Sequence, residues 1–219
     1  MDTNSDIMIN GASPQALRFL VFSGSLRKAS LNTQLARLAA KFITSNGGLV
    51  DWADLSEFVA PDFNQDLEDE EGFPPAVTSF KSRLENNDAF VIASPEYNAS
   101  LPGVLKNVID WSSRFKPQPF SGRHGLLLSA SPSMVGGNRG VWALRIPLEH
   151  LGAHIFPEMF SLALAHKAFT PEGQIADEQL HQRLEKMVRS FMELVDAVKR
   201  YPCAKLAWEE FPGEMTGHP

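Results

Sequence analysis

Five short apolar runs recur along this chain, and the stretches between them switch to helical spacing. That alternation restricts the fold more than any other feature. Leu17 to Phe22, Leu49 to Ala53, Asp88 to Ser94, Gly125 to Ala130 and Ala153 to Phe156 are largely apolar and of strand length. Between them, Leu31, Leu35, Leu38, Ala39 and Phe42 follow Ser30 at helical intervals and stop at Asn46-Gly47-Gly48. Ala76 to Leu84 reads as a second helix. Pro102 opens a third, with Leu105, Val108 and Ile109 on one face. A fourth follows the glycines at 136, 137 and 140, and the last carries one stripe through Leu180, Leu184, Met187, Val188, Phe191, Val195 and Val198. Apolar strands separated by helices imply parallel pairing through crossover connections.

Right-handed crossovers leave few topologies, and for five strands the order 2-1-3-4-5 leads. The expected architecture is α/β: a flavodoxin-like, doubly wound five-stranded parallel sheet with helices on both faces. The 219 residues suffice for one such domain. It is expected over residues 16–200, after a flexible arm (1–15) and before a tail (201–219) whose Trp208 and Phe211 could dock on a neighbouring subunit. Pro147 lies inside the fourth helical stretch and predicts a kink or a helix restart. The stretch from Asp62 to Glu71 holds six acidic residues and no basic one, and reads as a solvated loop without a catalytic role. Trp111 reads as core or interface packing.

Charge and composition exclude several functions. Twenty basic against 26 acidic residues give a net charge of −6, so no general field attracts nucleic acid or an anionic membrane. No apolar run approaches the roughly 18 residues that cross a bilayer. Cys203 is the single cysteine, which excludes an intramolecular disulfide and a thiolate metal cluster. The six histidines lack ligand spacing, so no metal is expected. Met1 to Asp6 lack the basic start and apolar run of a signal peptide, and a cytoplasmic location is expected.

In an open α/β sheet, ligands bind outside the carboxyl ends of the strands at the switch point. The loops after strands one, three and four are therefore the places to look for chemistry. The first, Ser23-Gly24-Ser25-Leu26-Arg27-Lys28-Ala29-Ser30-Leu31-Asn32, combines hydroxyls, an arginine and a helix N-terminus. The unpaired N–H groups and partial positive charge of a first helical turn suit a phosphate. Ser25, Ser30 and Asn32 add donors, and Arg27 adds a charge-assisted fork. The alternative is an ordinary N-cap at Ser30 beside a surface arginine. The loop is neither a Walker A sequence nor GxGxxG, which disfavours ATP hydrolysis and Rossmann dinucleotide binding. The second loop, Ser94-Pro95-Glu96-Tyr97-Asn98-Ala99-Ser100-Leu101-Pro102-Gly103, is stiffened by two prolines and can present backbone donors and an aromatic edge to a flat heterocycle. In the third, Ser131-Pro132-Ser133-Met134-Val135-Gly136-Gly137-Asn138-Arg139-Gly140, side-chain-free positions allow a ligand close to the backbone, or make a flexible connection.

The pieces GSLRKASLN and SPEYNASLPGVLKNVIDWSSR resemble the two signature regions of the NADPH-dependent FMN reductase family, which includes quinone, chromate and azo-dye reductases. FNQDLE, GGNRGVWALR and AFTPEGQIADEQL resemble it too, so the likeness runs from Leu17 to Val198. The resemblance implies that Ser25, Arg27, Ser30, Leu31 and Asn32 hold the FMN phosphate. It places Pro95, Glu96, Tyr97 and Asn98 along the isoalloxazine ring, with Ser131, Gly136 and Gly137 closing its other side. It implies an oxidoreductase that takes a hydride from NADPH or NADH onto FMN and passes electrons to a small acceptor: a quinone, azo compound, metal oxyanion or free flavin. A homodimer or homotetramer with the flavin near the subunit interface follows from the same likeness. Hydride transfer to a flavin needs no protein nucleophile, so no catalytic side chain is named. Arg123, Arg139 and Arg145 are candidates for a 2′-phosphate or for helical and surface roles. The alternatives are a flavodoxin-type electron carrier and a non-catalytic FMN-sensing module.

Overall fold

A computed structural model describes residues 16–200. The expected arm and tail, with Cys203, Trp208 and Phe211, lie outside the described residues. In chain order, β1 (Arg18–Ser23) leads to α1 (Leu31–Ser45), β2 (Leu49–Ala53), a 3-10 turn (Leu55–Phe58), α2 (Gln65–Glu71) and α3 (Pro75–Glu85). Then come β3 (Ala89–Ala93), α4 (Gly103–Ser112), β4 (His124–Ala130), α5 (Asn138–His150), β5 (His154–Ile155), β6 (Phe160–Leu162), α6 (Ala165–Ala168) and α7 (Glu178–Arg200).

All pairings are parallel and the strand order is 2-1-3-4-5, the flavodoxin-like arrangement. The expected count of five strands is corrected to six. The edge beyond β4 is shared: β5 pairs with its first residues and β6 with its last. Pro157 falls in the gap and has no N–H to offer a ladder, which fits an interrupted edge.

Alternating side chains of the strands feed two apolar layers. Phe19, Val21, Val91 and Leu128 meet α1 and α7 on one face, where Leu35, Ile43, Val188 and Phe191 are fully buried. Leu20, Phe22, Phe90 and Leu127 meet α3, α4 and α5 on the other. There Phe22, Phe58 and Phe80 make edge-on pairs with centroids 4.9–6.0 Å apart, each worth about 0.5–1.5 kcal/mol beyond area burial.

Two further expectations are corrected. The acidic stretch is not a loop: Asn64 caps α2 by accepting from Asp66 N–H at 3.0 Å, and Asp66 and Glu68 in the first turn suit its dipole. Nor does the helix restart at Pro147, since α5 runs as one element from Asn138 to His150. The proline sits on the helix's last turns, where the Leu151 N–H returns to the Pro147 carbonyl at 3.1 Å.

Residues 60–68 form a strap across α4. Asn107 accepts from Phe63 N–H at 2.8 Å and donates to the Ala60 and Pro61 carbonyls. Trp111, completely buried, donates its indole N–H to Pro61 at 2.8 Å, and Arg114 reaches Glu68 at 2.7 Å. Asn107 and Trp111 stand one turn apart on the same face of α4, and Arg114 follows just past its C-cap Ser113. At the amino-terminal pole of the sheet, a groove of about 450 Å³ is bordered by Ala16, Leu17, Gly47, Gly48, Met192 and Arg200. Lys199 pairs with Asp88 at the same pole, just before β3. Among the described residues no helix is long and apolar enough to cross a membrane.

Candidate functional site

The three loops meet at the carboxyl-terminal pole. Gly24 N–H donates to the Ala93 carbonyl at 2.8 Å, and Ser94 N–H to Leu128 at 2.8 Å, so the turn after β1 is stitched to β3 and β3 to β4. Ser30 is the N-cap of α1 and accepts from Thr33 N–H at 3.2 Å; Ser25 accepts from Arg27 N–H at 3.3 Å. In both, the oxygen accepts from the chain and the hydroxyl hydrogen stays available to an incoming anion. The N–H groups of Leu31 and Asn32 have no acceptor among the described residues, and the first turn of α1 has no acidic residue. Arg27 and Lys28 are exposed and make no ion pair among the described residues. This is a set of donors without its own counter-charge among the described residues, and its chemistry fits the phosphate of FMN.

Asn32 has a different role from the one expected of its side chain. It is 3% exposed, donates its amide to the Ala130 carbonyl at 2.9 Å and accepts from Ala130 N–H at 2.9 Å. This two-way bond locks the first turn of α1 to the end of β4. What Asn32 offers at the turn is its main-chain N–H.

After β3, Pro95 is buried and Tyr97 is half exposed. Tyr97 and Ser100 exchange main-chain hydrogen bonds at 2.9 and 3.1 Å around Asn98 (φ 52°) and Ala99 (φ 62°). Two left-handed central residues make this a type I′ turn, costly for alanine and rigid once formed. Glu96 points away from the loop and into the start of α5. Its carboxylate accepts from Arg139 N–H (3.0 Å), Gly140 N–H (3.2 Å) and Arg139 Nε (2.9 Å), and pairs with Arg139 Nη2 at 2.6 Å. Burial acts to raise the Glu96 pKa, but the bonds from Arg139 and Gly140 together hold it below the usual carboxylate range. The carboxylate is thus a tertiary N-cap for a helix whose own cap position, Gly137, has no side chain.

The glycines serve that arrangement. A Cβ on Gly140 would lie 2.9 Å from Glu96 Cα, and one on Gly137 (φ 84°) would collide with Ser129 Oγ. Gly136 is pressed on the main chain after Ser161, and Ser131 is tied to Leu162 and Ala165. The weak G-G-x-x-G signal therefore reflects the protein's own close packing at positions 137 and 140. Sequence reading missed the bond between Glu96 and α5. The available signal was a helix starting after two glycines with no capping side chain.

The three arginines considered for a nicotinamide 2′-phosphate are all engaged. Arg123 lies at the opposite pole, before β4, and donates to the Asn87 carbonyl at 2.9 Å. Arg145 pairs with Glu149 at 2.8 Å, and Arg139 with Glu96. His124 and His154 come together at that opposite pole, with ring centroids 5.1 Å apart. Among the described residues no three His, Cys, Asp or Glu side chains converge as metal ligands.

Comparison with known proteins gives consistent results. The profile of a family described as NADPH-dependent FMN reductase matches residues 17–167. The chain is 37% identical over 188 residues to a probable NADPH:quinone oxidoreductase of Oryza sativa subsp. japonica, covering 84% of this chain and 91% of that protein. It is 36% identical over 176 residues to an NAD(P)H-dependent FMN reductase of Pseudomonas aeruginosa, covering 80% and 92%. Among solved structures it resembles FerB, a flavoenzyme NAD(P)H:(acceptor) oxidoreductase from Paracoccus denitrificans. The TM-score is 0.71 and the identity 28%, over 83% of this chain and 98% of that one.

Proposed function

The chain belongs to the NADPH-dependent FMN reductase family and is an FMN-dependent NAD(P)H oxidoreductase, and from that premise we propose which residues hold the cofactor and what the enzyme reduces. The Ser25 and Ser30 hydroxyls, the Leu31 and Asn32 N–H groups and the Arg27 guanidinium bind the phosphate. The turn from Pro95 to Asn98 lies along one side of the ring, and Ser131, Gly136 and Gly137 bound the other. Bound FMN supplies the hydride-accepting and electron-donating chemistry; the protein binds it, orients it and shapes access. The observation that carries this reading is the donor-rich, acid-free first turn of α1.

We assign a quinone as the acceptor class. The rice relative is named for that activity. Leu26, Tyr97, Met134 and Val135, each 46–75% exposed on the three loops, give the rim an apolar character suited to a planar, weakly polar molecule. We also assign a homo-oligomer. Trp142 (54% exposed) and Ile146 (71% exposed) stand one turn apart on α5, an exposed apolar pair of the kind that marks a protein–protein surface. The single cysteine fits a reducing, cytoplasmic setting.

The test is the visible spectrum of FMN-loaded protein under anaerobic conditions. NADPH or NADH bleaches the flavin band, and a quinone restores it. A band that persists with both nicotinamides overturns the reductase reading in favour of an electron carrier. Bleaching without recovery on quinone addition overturns the acceptor class alone.

A further inference from the structure

We propose that Glu96 is the positioning residue of the flavin slot: its carboxylate ties the loop after β3 to the first turn of α5 and so sets the spacing between the two walls. The inference rests on the FMN reading above and assigns its Glu96 a different duty from touching the ring. With four donors on two oxygens, and a side chain only 10% exposed, the carboxylate is occupied within the protein.

The geometry makes this tie decisive. Among the described residues, no other hydrogen bond joins residues 95–100 to residues 131–140. Each loop is otherwise anchored to its own side. The 95–100 loop closes on itself through the Tyr97–Ser100 turn, and residue 131 is held by Leu162 and Ala165. Glycine at 140 lets the Glu96 main chain approach closely enough for Oε2 to accept from both amides while Oε1 takes the Arg139 guanidinium. A carboxylate also complements the positive end of the α5 dipole, which a neutral amide does less well. One methylene less would pull the carboxylate back from the amides it bonds. Charge and length at position 96 therefore fix the distance between the turn that carries Tyr97 and the turn that carries Gly137. A flat ring held between two walls is sensitive to that distance.

The experiment titrates FMN into the flavin-free full-length wild type, Glu96→Gln and Arg139→Met. It reads flavin fluorescence quenching, the visible circular dichroism of bound flavin and the melting temperature before flavin is added. For Glu96→Gln the FMN dissociation constant rises about tenfold or more, since misplacement on the ångström scale costs that much or more at a binding centre, and the visible dichroism of bound flavin changes shape. Arg139→Met keeps the two amide bonds and shifts both readouts in the same direction by less. A lower melting temperature with unchanged FMN affinity and dichroism would mean a structural role only, and overturns the proposal. If Glu96→Gln does not fold, unchanged affinity and dichroism in Arg139→Met overturn it equally. A wild type that binds no FMN is a separate result, which removes the cofactor reading itself.

Discussion

Arg27 extends its charge into solvent beside hydroxyls and N–H groups that have no counter-anion among the described residues. A hydrogen bond to a charged group contributes roughly 1.5–3 kcal/mol, so Arg27→Ala should weaken FMN about ten- to a hundredfold with little change in melting temperature. Fluorescence titration of that variant checks it, and an unaltered dissociation constant removes the phosphate assignment. Ser129 presents the opposite case. Its hydroxyl is fully buried and has no hydrogen-bond partner among the described residues, crowded against Gly137. Ser129→Ala should therefore leave stability unchanged or raise it by about 1 kcal/mol, measured by urea denaturation. A clear loss of stability would reveal a partner for that oxygen. At this scale the sequence was readable where chemistry and position coincide. Ser30 stands at the start of an apolar stripe and is the cap it looked to be. Glu96 and Asn32 were not readable as ties, because their partners lie 43 and 98 positions away along the chain.

Helix α4 lies within one of the two signature regions, and the structure shows what its polar residues do. Asn107 and Trp111, with Arg114 just past the helix end, clasp the strap, while Leu105, Val108 and Ile109 bury the opposite face in the core. Asn107→Ala removes three bonds to strap main chain and should cost about 1–3 kcal/mol by leaving those groups unpaired. Denaturant unfolding measures the loss, and susceptibility of residues 60–68 to limited proteolysis locates it. Strands and helices were legible because each buries a periodic apolar face. The helix α2 was not, because it buries no residue and owes its existence to Asn64 and to acids in its first turn. The interruption between β5 and β6 was equally hidden, since two- and three-residue strands are too short for periodicity to register.

For the whole molecule, the crossover connections decide the division of labour. Every βα loop faces one pole, where the donor turn, the type I′ turn and the Glu96 tie are gathered. Self-association belongs to this scale. Ile146 is 71% exposed, so Ile146→Glu removes almost no internal packing and should shift the assembly toward smaller species while keeping the monomer folded. Light scattering at several concentrations reads the result, and an unchanged molar mass excludes this face. The other pole has its own consequence. Ala16 and Arg200 border one groove there, so the first and last described residues share nearly the same address. A short peptide could splice the two into a continuous loop and a fresh opening be cut elsewhere on the rim of that pole, producing a circularly permuted enzyme. The same address offers a mooring to a bead or electrode that would leave the βα loops of the opposite pole facing outward.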